Sequence, residues 1–195
     1  MVEKVTVTGT RITTLPEDMP DASTLPTTPI TGRFNNVLIF DRRDGKFSKL
    51  FDKRLAISEF QYGWRTTPEV LVIFANERDT NKDGKLSSVD MQDIYIFTFA
   101  DKKMHKVDAA GLNPLELMAI PDVDYVVVKA RRDRNNDGRA YGGDSYPKED
   151  LEPEPTVLIR IDLKTMKASS FVPDDMLENL QRTLDGSKPS SALVK

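Results

Sequence analysis

Short apolar runs separated by polar turns recur along the chain between Val37 and Phe171. Three of these runs continue through a tight turn into a second run, which is the pattern of a β-hairpin. The predicted hairpins cover Val37–Phe47, Tyr95–Met104 and Val157–Met166. Two further apolar runs precede the second and third hairpins, at Val70–Ala75 and Tyr125–Ala130. The pattern therefore predicts an all-β fold of antiparallel strands.

An acidic loop links each of these two apolar runs to the hairpin that follows it. The loops begin at Asp79 and Asp133, 54 residues apart, so the chain repeats strand, loop, strand, turn, strand. Over residues 34–172 this order resembles the blade of TolB-like propellers, in which the connection between the second and third strands can carry an Asp-rich calcium loop. The resemblance implies about two and a half propeller-blade-like repeats. Closed propellers have about four to eight blades, so the chain would be a fragment, an open sheet or an oligomer.

Both ends of the chain differ from this repeat domain, which we place at residues 33–172. Residues 1–32 contain four prolines among many Thr, Asp and Ser, which predicts an extended or disordered arm. Residues 173–185 predict a short C-terminal helix, because Pro173 and acidic residues stand at its start. Its apolar residues fall on one face: Met176, Leu177, Leu180 and Leu184. Residues 186–195 are predicted to form a loose tail.

The strongest chemical signal is the first acidic loop, Asp79–Asp90. It resembles the EF-hand-type calcium loop, which has oxygen-bearing side chains at alternate positions and a glycine at position 6. Calcium takes about six to eight oxygen ligands, and alternate residues of a tight loop can direct their oxygens inward. The predicted ligands are Asp79, Asn81, Asp83, the carbonyl of Lys85, Ser87 and Asp90.

The second acidic loop, Asp133–Asp144, repeats the first six positions of this pattern. Its predicted ligands are Asp133, Asn135, Asp137, the carbonyl of Arg139 and Asp144. It departs from the pattern at Tyr141, which has no short oxygen donor, and at Ala140, which replaces a larger apolar residue. Glu149 or Asp150 could supply the closing ligand instead of Asp144.

The sequence Asp-x-Asn-x-Asp-Gly should arise at on the order of one in 10⁵ positions, yet it occurs twice here. The alternative is a turn without metal, since Asp, Asn and Gly favour turns. Residues Leu71–Ala75 and Ile94–Phe99 alternate as strands rather than helices, which argues against the opening of an EF-hand sensor. Two calcium ions are therefore expected to stabilise the loops by relieving repulsion between carboxylates.

Composition limits the other kinds of site. The chain has no cysteine and a single histidine, which excludes thiolate sites and most zinc or histidine-base chemistry. A net charge of −3 argues against nucleic acid as a partner, and no run of about 20 apolar residues predicts a membrane span. Ser145 does not lie in a nucleophile elbow. Since no other segment resembles an active site, we assign no catalytic residue and predict that the protein is not an enzyme.

Three weaker candidates for functional sites are interpreted as ordinary structural or surface residues. His105 is predicted to be a lone exposed histidine on a strand. Phe60, Tyr62 and Trp64 alternate at period two, which is more typical of a core face than of a ligand-stacking patch. Four arginines near the second loop are interpreted as a solvated rim, with contact to an acidic partner as the alternative: Arg131, Arg132, Arg134 and Arg139.

Residues Val5–Ile12 resemble the segment that begins many mature TonB-dependent receptors and some other envelope proteins of Gram-negative bacteria. The resemblance implies a periplasmic or secreted location, which would require removal of a signal peptide, because no apolar signal segment precedes these residues. We expect a non-enzymatic, calcium-binding protein whose partner is a macromolecule, with protein as the expected class. The alternatives are a calcium sensor or a carbohydrate- or peptide-active enzyme accessory domain that uses Trp64. Unpaired sheet edges would also allow a homo-oligomer.

Overall fold

The computed structural model describes residues 4–8, 12–13, 29–41, 44–63, 66–87, 89–109, 111–118, 120–133, 136, 138–139 and 156–184. These residues form strands in three antiparallel sheets and one helix, α1 (Asp174–Leu184). In chain order the strands are β1 (Lys4–Thr8), β2 (Ile12–Thr13), β3 (Ile30–Phe34), β4 (Asn36–Asp41), β5 (Lys46–Lys49), β6 (Ala56–Gly63), β7 (Val70–Asn76), β8 (Asp93–Thr98), β9 (Lys103–Val107), β10 (Leu112–Met118), β11 (Tyr125–Arg132), β12 (Thr156–Asp162) and β13 (Lys167–Ser170).

Each sheet is built largely from strands that follow one another in the chain. The first sheet has the order β2-β1-β4-β5, the second β3-β6-β7-β8-β9 and the third β10-β11-β12-β13. The predicted all-β fold is confirmed at this level. The three predicted hairpins are β4–β5, β8–β9 and β12–β13, and the apolar runs before the last two are β7 and β11. Within the described residues the three sheets do not close on one another.

Parts of the predicted N-terminal arm are strands of these sheets. Strand β1 pairs with β4 along its whole length, from Lys4 opposite Phe40 to Thr8 opposite Asn36. Strand β3 begins at Ile30 and pairs with β6 in the second sheet. The predicted C-terminal helix is confirmed as α1. In the described part of the chain, no helix is long and apolar enough to cross a membrane.

Strand β7 shows how the sheets stack. All seven of its residues are buried, because each of its faces meets a different sheet. Its alternate residues join two core clusters: Val70, Val72 and Phe74 pack with the third sheet, and Leu71, Ile73 and Ala75 pack with the first. A strand covered on both faces needs apolar residues on both, which explains the continuous apolar run in its sequence.

The aromatic residues of β6 are placed by a β-bulge. The register between β6 and β7 shifts just after Ile57, so Ile57 and Phe60, three residues apart, lie in the same core cluster. Phe60 is 1% exposed and so belongs to the core, as predicted. Tyr62 is half-buried and packs edge-on against Phe99, with 5.8 Å between the ring centroids. Trp64 lies outside the described residues.

Candidate metal centre

The two acidic loops contact each other. The first loop joins β7 to β8, and the second follows β11 in the neighbouring sheet. The Thr80 hydroxyl donates a hydrogen bond to the carbonyl oxygen of Gly138, and Asp90 pairs with Arg139 in an isolated antiparallel β-bridge. A Cβ on Gly138 would overlap the Thr80 carbonyl oxygen and lie 2.8 Å from its carbonyl carbon. The fold therefore brings into contact two loops that begin 54 residues apart in the sequence.

The two loops share their backbone conformation at positions 4 and 6. Position 4 has a positive φ in both, 59° at Lys82 and 55° at Asn136. Position 6 also has a positive φ in both, 82° at Gly84 and 69° at Gly138. Left-handed residues other than glycine are uncommon, so the recurrence of one at position 4 is a specific likeness between the described parts of the two loops.

The carboxylate at position 1 accepts a backbone hydrogen bond in both loops. In the first loop, Asp79 accepts hydrogen bonds from the backbone N–H groups of Asp83 at 3.1 Å and Gly84 at 2.8 Å. In the second loop, Asp133 accepts one from the N–H of Gly138 at 3.1 Å. The glycine at position 6 thus donates to the aspartate at position 1 in both loops.

Two more predicted ligands lie within the turn of the first loop. The side-chain oxygen of Asn81 accepts the N–H of Asp83 at 3.0 Å. Asp83 in turn accepts the N–H of Lys85 at 2.8 Å. Asp79 and Asp83 are exposed to solvent and Asn81 is half-buried, so a cation could reach their oxygens from outside the protein.

The predicted closing ligand, Asp90, is completely buried. Its Oδ1 accepts backbone N–H groups from Thr80 at 2.9 Å and Asn81 at 3.3 Å, and its Oδ2 accepts the N–H of Ser87 at 2.8 Å. Asp90 therefore joins the beginning and the end of the loop. Carboxylate hydrogen bonds to backbone N–H groups are charge-assisted and strong, so this contact holds the loop together.

The sequence did not single out three buried or half-buried polar residues that support this loop. Asn76 is 0% exposed, and its side-chain amide donates to the carbonyl oxygens of Ser87 and, at 3.0 Å, Asp90. The Thr80 hydroxyl accepts the N–H of Met91 at 2.7 Å. Asn113, on β10, accepts the N–H of Gln92 at 2.9 Å. The available signal was an asparagine at the end of an apolar strand, because a buried amide needs hydrogen-bond partners.

Comparisons give no further guide to function. No family model, curated protein or solved structure matches this chain.

An ion-pair network surrounds the stem of the first loop. Glu77 accepts hydrogen bonds from the ammonium groups of Lys106, at 2.6 Å, and Lys53. These two bonds lower the pKa of Glu77 to about 2. Lys106 also lies 2.8 Å from Asp93, and Arg78 lies 3.8 Å from the same carboxylate. The network connects Glu77, which follows β7, with Asp93 on β8 and Lys106 on β9.

The described part of the second loop is smaller than that of the first. The predicted ligands Asn135, Asp137 and Asp144 lie outside the described residues, while Asp133 and Arg139 lie within them. Among the described residues, no three His, Cys, Asp or Glu side chains are grouped closely enough to hold a metal ion. In the first loop, carboxylates are instead engaged with backbone amides, as set out above.

A cleft of about 540 Å³ lies beside the loops. Its charged lining includes Asp93, the Arg78 and Lys106 side chains that pair with it, and Asp133 of the second loop.

The weaker candidates lie elsewhere. His105 is half-buried on β9, not exposed as predicted. Of the four arginines, Arg132 and Arg139 are exposed, Arg131 is half-buried and Arg134 lies outside the described residues.

Proposed function

We propose that this chain binds two calcium ions, one in each acidic loop, and that the ions stabilise a non-enzymatic β-scaffold that binds another macromolecule. One observation carries the proposal: two loops with the same Asp-x-Asn-x-Asp-Gly sequence also share their positive-φ positions and the hydrogen bond from position 6 to position 1. A simple connecting turn needs neither the same oxygen-bearing side chains nor the same backbone in two places.

The hydrogen bonds of the first loop leave oxygen lone pairs for a cation. Each carboxylate oxygen can accept about two hydrogen bonds. Asp79 uses one position on each oxygen. Asp90 uses both positions on Oδ1 and one on Oδ2, which leaves Oδ2 as its ligand atom. This donor set consists of carboxylate, amide, hydroxyl and carbonyl oxygens, which suits a hard cation such as calcium.

Electrostatics favour the same cation. Asp79, Asp83 and Asp90 lie within twelve residues of a single loop, and like charges at short range repel one another. A divalent cation would convert this repulsion into attraction, so binding would be coupled to loop stability. The same reasoning applies to the second loop, with Asp133 as its first ligand.

The scaffold role follows from where the loops lie. Each loop joins the second and third strands of a four-strand meander, the position at which TolB-like propeller blades can carry a calcium loop. We interpret the stacked sheets as propeller-like blades and the protein as an envelope or secreted component with a protein partner. Calcium would then rigidify the end of the sheets that carries the loops.

Calorimetric titration of the chelator-treated full chain with calcium tests this proposal. Two sites are expected, together with a higher melting temperature in calcium. Asp79→Ala and Asp133→Ala should each abolish one site, because each removes the first ligand of one loop. Asp52→Ala serves as the control, since Asp52 is a fully exposed aspartate outside both loops. The absence of binding at millimolar calcium would show that the loops are ordinary turns.

The calcium-sensor alternative predicts a different result in the same samples. A sensor would bind in the micromolar range and change its conformation on binding. A structural staple should bind more weakly and leave the far-UV circular dichroism spectrum almost unchanged. A large spectral change at micromolar calcium would therefore favour a calcium sensor over a structural role for the ions.

A further inference from the structure

The contact between the acidic loops joins backbone segments that carry predicted ligands. Thr80 stands between Asp79 and Asn81 in the first loop. It donates its hydroxyl hydrogen to the carbonyl of Gly138, the residue just before Arg139 in the second loop. In the β-bridge, Asp90 pairs with Arg139 itself. The backbone segments that carry the predicted ligands are therefore in direct contact.

Thr80 also connects the two ends of the first loop. Its N–H donates to Asp90 at 2.9 Å, and its hydroxyl oxygen accepts the N–H of Met91 at 2.7 Å. The hydroxyl hydrogen is directed to Gly138. A change in the spacing between Asp79 and Asp90 must therefore displace Thr80, and with it the Gly138 carbonyl.

The second loop is equally constrained at this point. Gly138 uses its N–H to close its own loop onto Asp133, at 3.1 Å, while its carbonyl accepts from Thr80. A Cβ added to Gly138 would overlap the Thr80 carbonyl, so the two backbones have little room to move separately. Ordering either loop should therefore favour the ordered form of the other.

We propose that the two loops bind calcium with positive cooperativity, transmitted through the contacts Thr80–Gly138 and Asp90–Arg139. This inference rests on the proposed calcium function and adds the coupling between the sites. Coupling between sites is reciprocal, so each ion should strengthen the binding of the other by the same factor. A factor of about five to ten is expected, at the lower end of the usual range for coupled sites.

The experiment follows each loop separately while calcium alone is added to the chelator-treated full chain. The amide resonances of Gly84 and Gly138 serve as reporters in ¹H–¹⁵N NMR, because each amide donates to the first ligand of its own loop. Asp79→Ala should weaken binding in the second loop about five- to tenfold. Asp133→Ala should weaken the first loop by the same factor. Where alanine disorders the chain, Asp79→Asn and Asp133→Asn provide the milder variants.

Thr80→Val tests the route of the coupling. It removes the hydroxyl that contacts Gly138 and, at 3.4 Å, Asp90 Oδ1, and it replaces none of the predicted ligands. In this background the effect of Asp79→Ala on the second loop should fall below about twofold. Thr165→Val is the matched control. It removes a hydroxyl whose hydrogen bond is to Asp162, in the turn between β12 and β13, and it should leave the coupling unchanged.

The outcomes separate this inference from the proposed function. If both loops bind calcium but neither variant affects the other loop by more than about twofold, the coupling is refuted and calcium binding stands. If Thr80→Val leaves the cross-effect intact, the proposed route is wrong. If the natural chain shows no calcium-dependent shift at millimolar concentration, the calcium function and the coupling are refuted together.

Discussion

Two glycines at the same loop position differ in their surroundings, and alanine substitution should therefore affect them unequally. Gly84 has a φ of 82° and no heavy atom within 4 Å of an added Cβ. Gly84→Ala should cost only the left-handed conformation, about 1 kcal/mol after the gain from a less flexible unfolded chain. Gly138 has a similar φ of 69°, but its added Cβ would overlap the Thr80 carbonyl.

Gly138→Ala must therefore separate the two loops as well. Separation breaks the Thr80–Gly138 hydrogen bond and the bridge between Asp90 and Arg139, each worth about 1 kcal/mol. The expected loss is about 3 kcal/mol, roughly 2 kcal/mol more than for Gly84→Ala.

Urea unfolding in the presence of a chelator measures this difference without any contribution from calcium. The midpoints should differ between the two variants while the slope of free energy against urea stays constant. Gly84→Ala is itself the control for the backbone cost. Equal losses for the two substitutions would mean that the loops are not packed together, and the coupling between them would lose its physical basis.

Two further predictions concern the stem of the first loop. Asn76→Ala should lower the free energy of unfolding by about 2 to 3 kcal/mol, because it leaves the carbonyls of half-buried Ser87 and buried Asp90 without their amide donor; an unchanged urea midpoint would contradict this. Glu77 has a pKa lowered from 4.5 to about 2, so its contribution is present above about pH 4.5 and is lost as the pH falls to about 2. Glu77→Gln should thus cost about 1 to 2 kcal/mol at pH 7, a value reduced for the solvent exposure of its lysine partners, and nothing near pH 2. A constant difference across urea titrations from pH 2 to 7 would refute this assignment.

The sequence predicted the hairpins and the two strands before the acidic loops because their signal is local. A continuous apolar run such as Val70–Ala75 can hardly be anything but a strand buried on both faces, given its length and β-branched residues. Strand β1 was missed for the opposite reason. Lys4–Thr8 alternates valine with polar residues as a strand does, but its place in a sheet depends on pairing with β4, about 30 residues away.

The features of the candidate site likewise divide into those that a local motif predicts and those that depend on how the sheets pack. The positions of Asp79 and Gly84 follow from a local motif, and their hydrogen bond is within five residues. The contact between Thr80 and Gly138 spans 58 residues and depends on how two sheets stack, which no short motif encodes. The burial of Asp90 is likewise tertiary, because the second loop lies against it through Arg139.

The path of the chain through the sheets has a mechanical consequence. The chain passes from the first sheet to β3 in the second, returns to the first sheet for β4 and β5, and enters the second again at β6. It passes to the third sheet only once, between β9 and β10. Under a force applied to the chain ends, the third sheet should therefore detach as a unit before the interleaved first and second sheets extend. The contact between the acidic loops adds to the apolar core that packs the third sheet against the second, so calcium should raise the force of that first step.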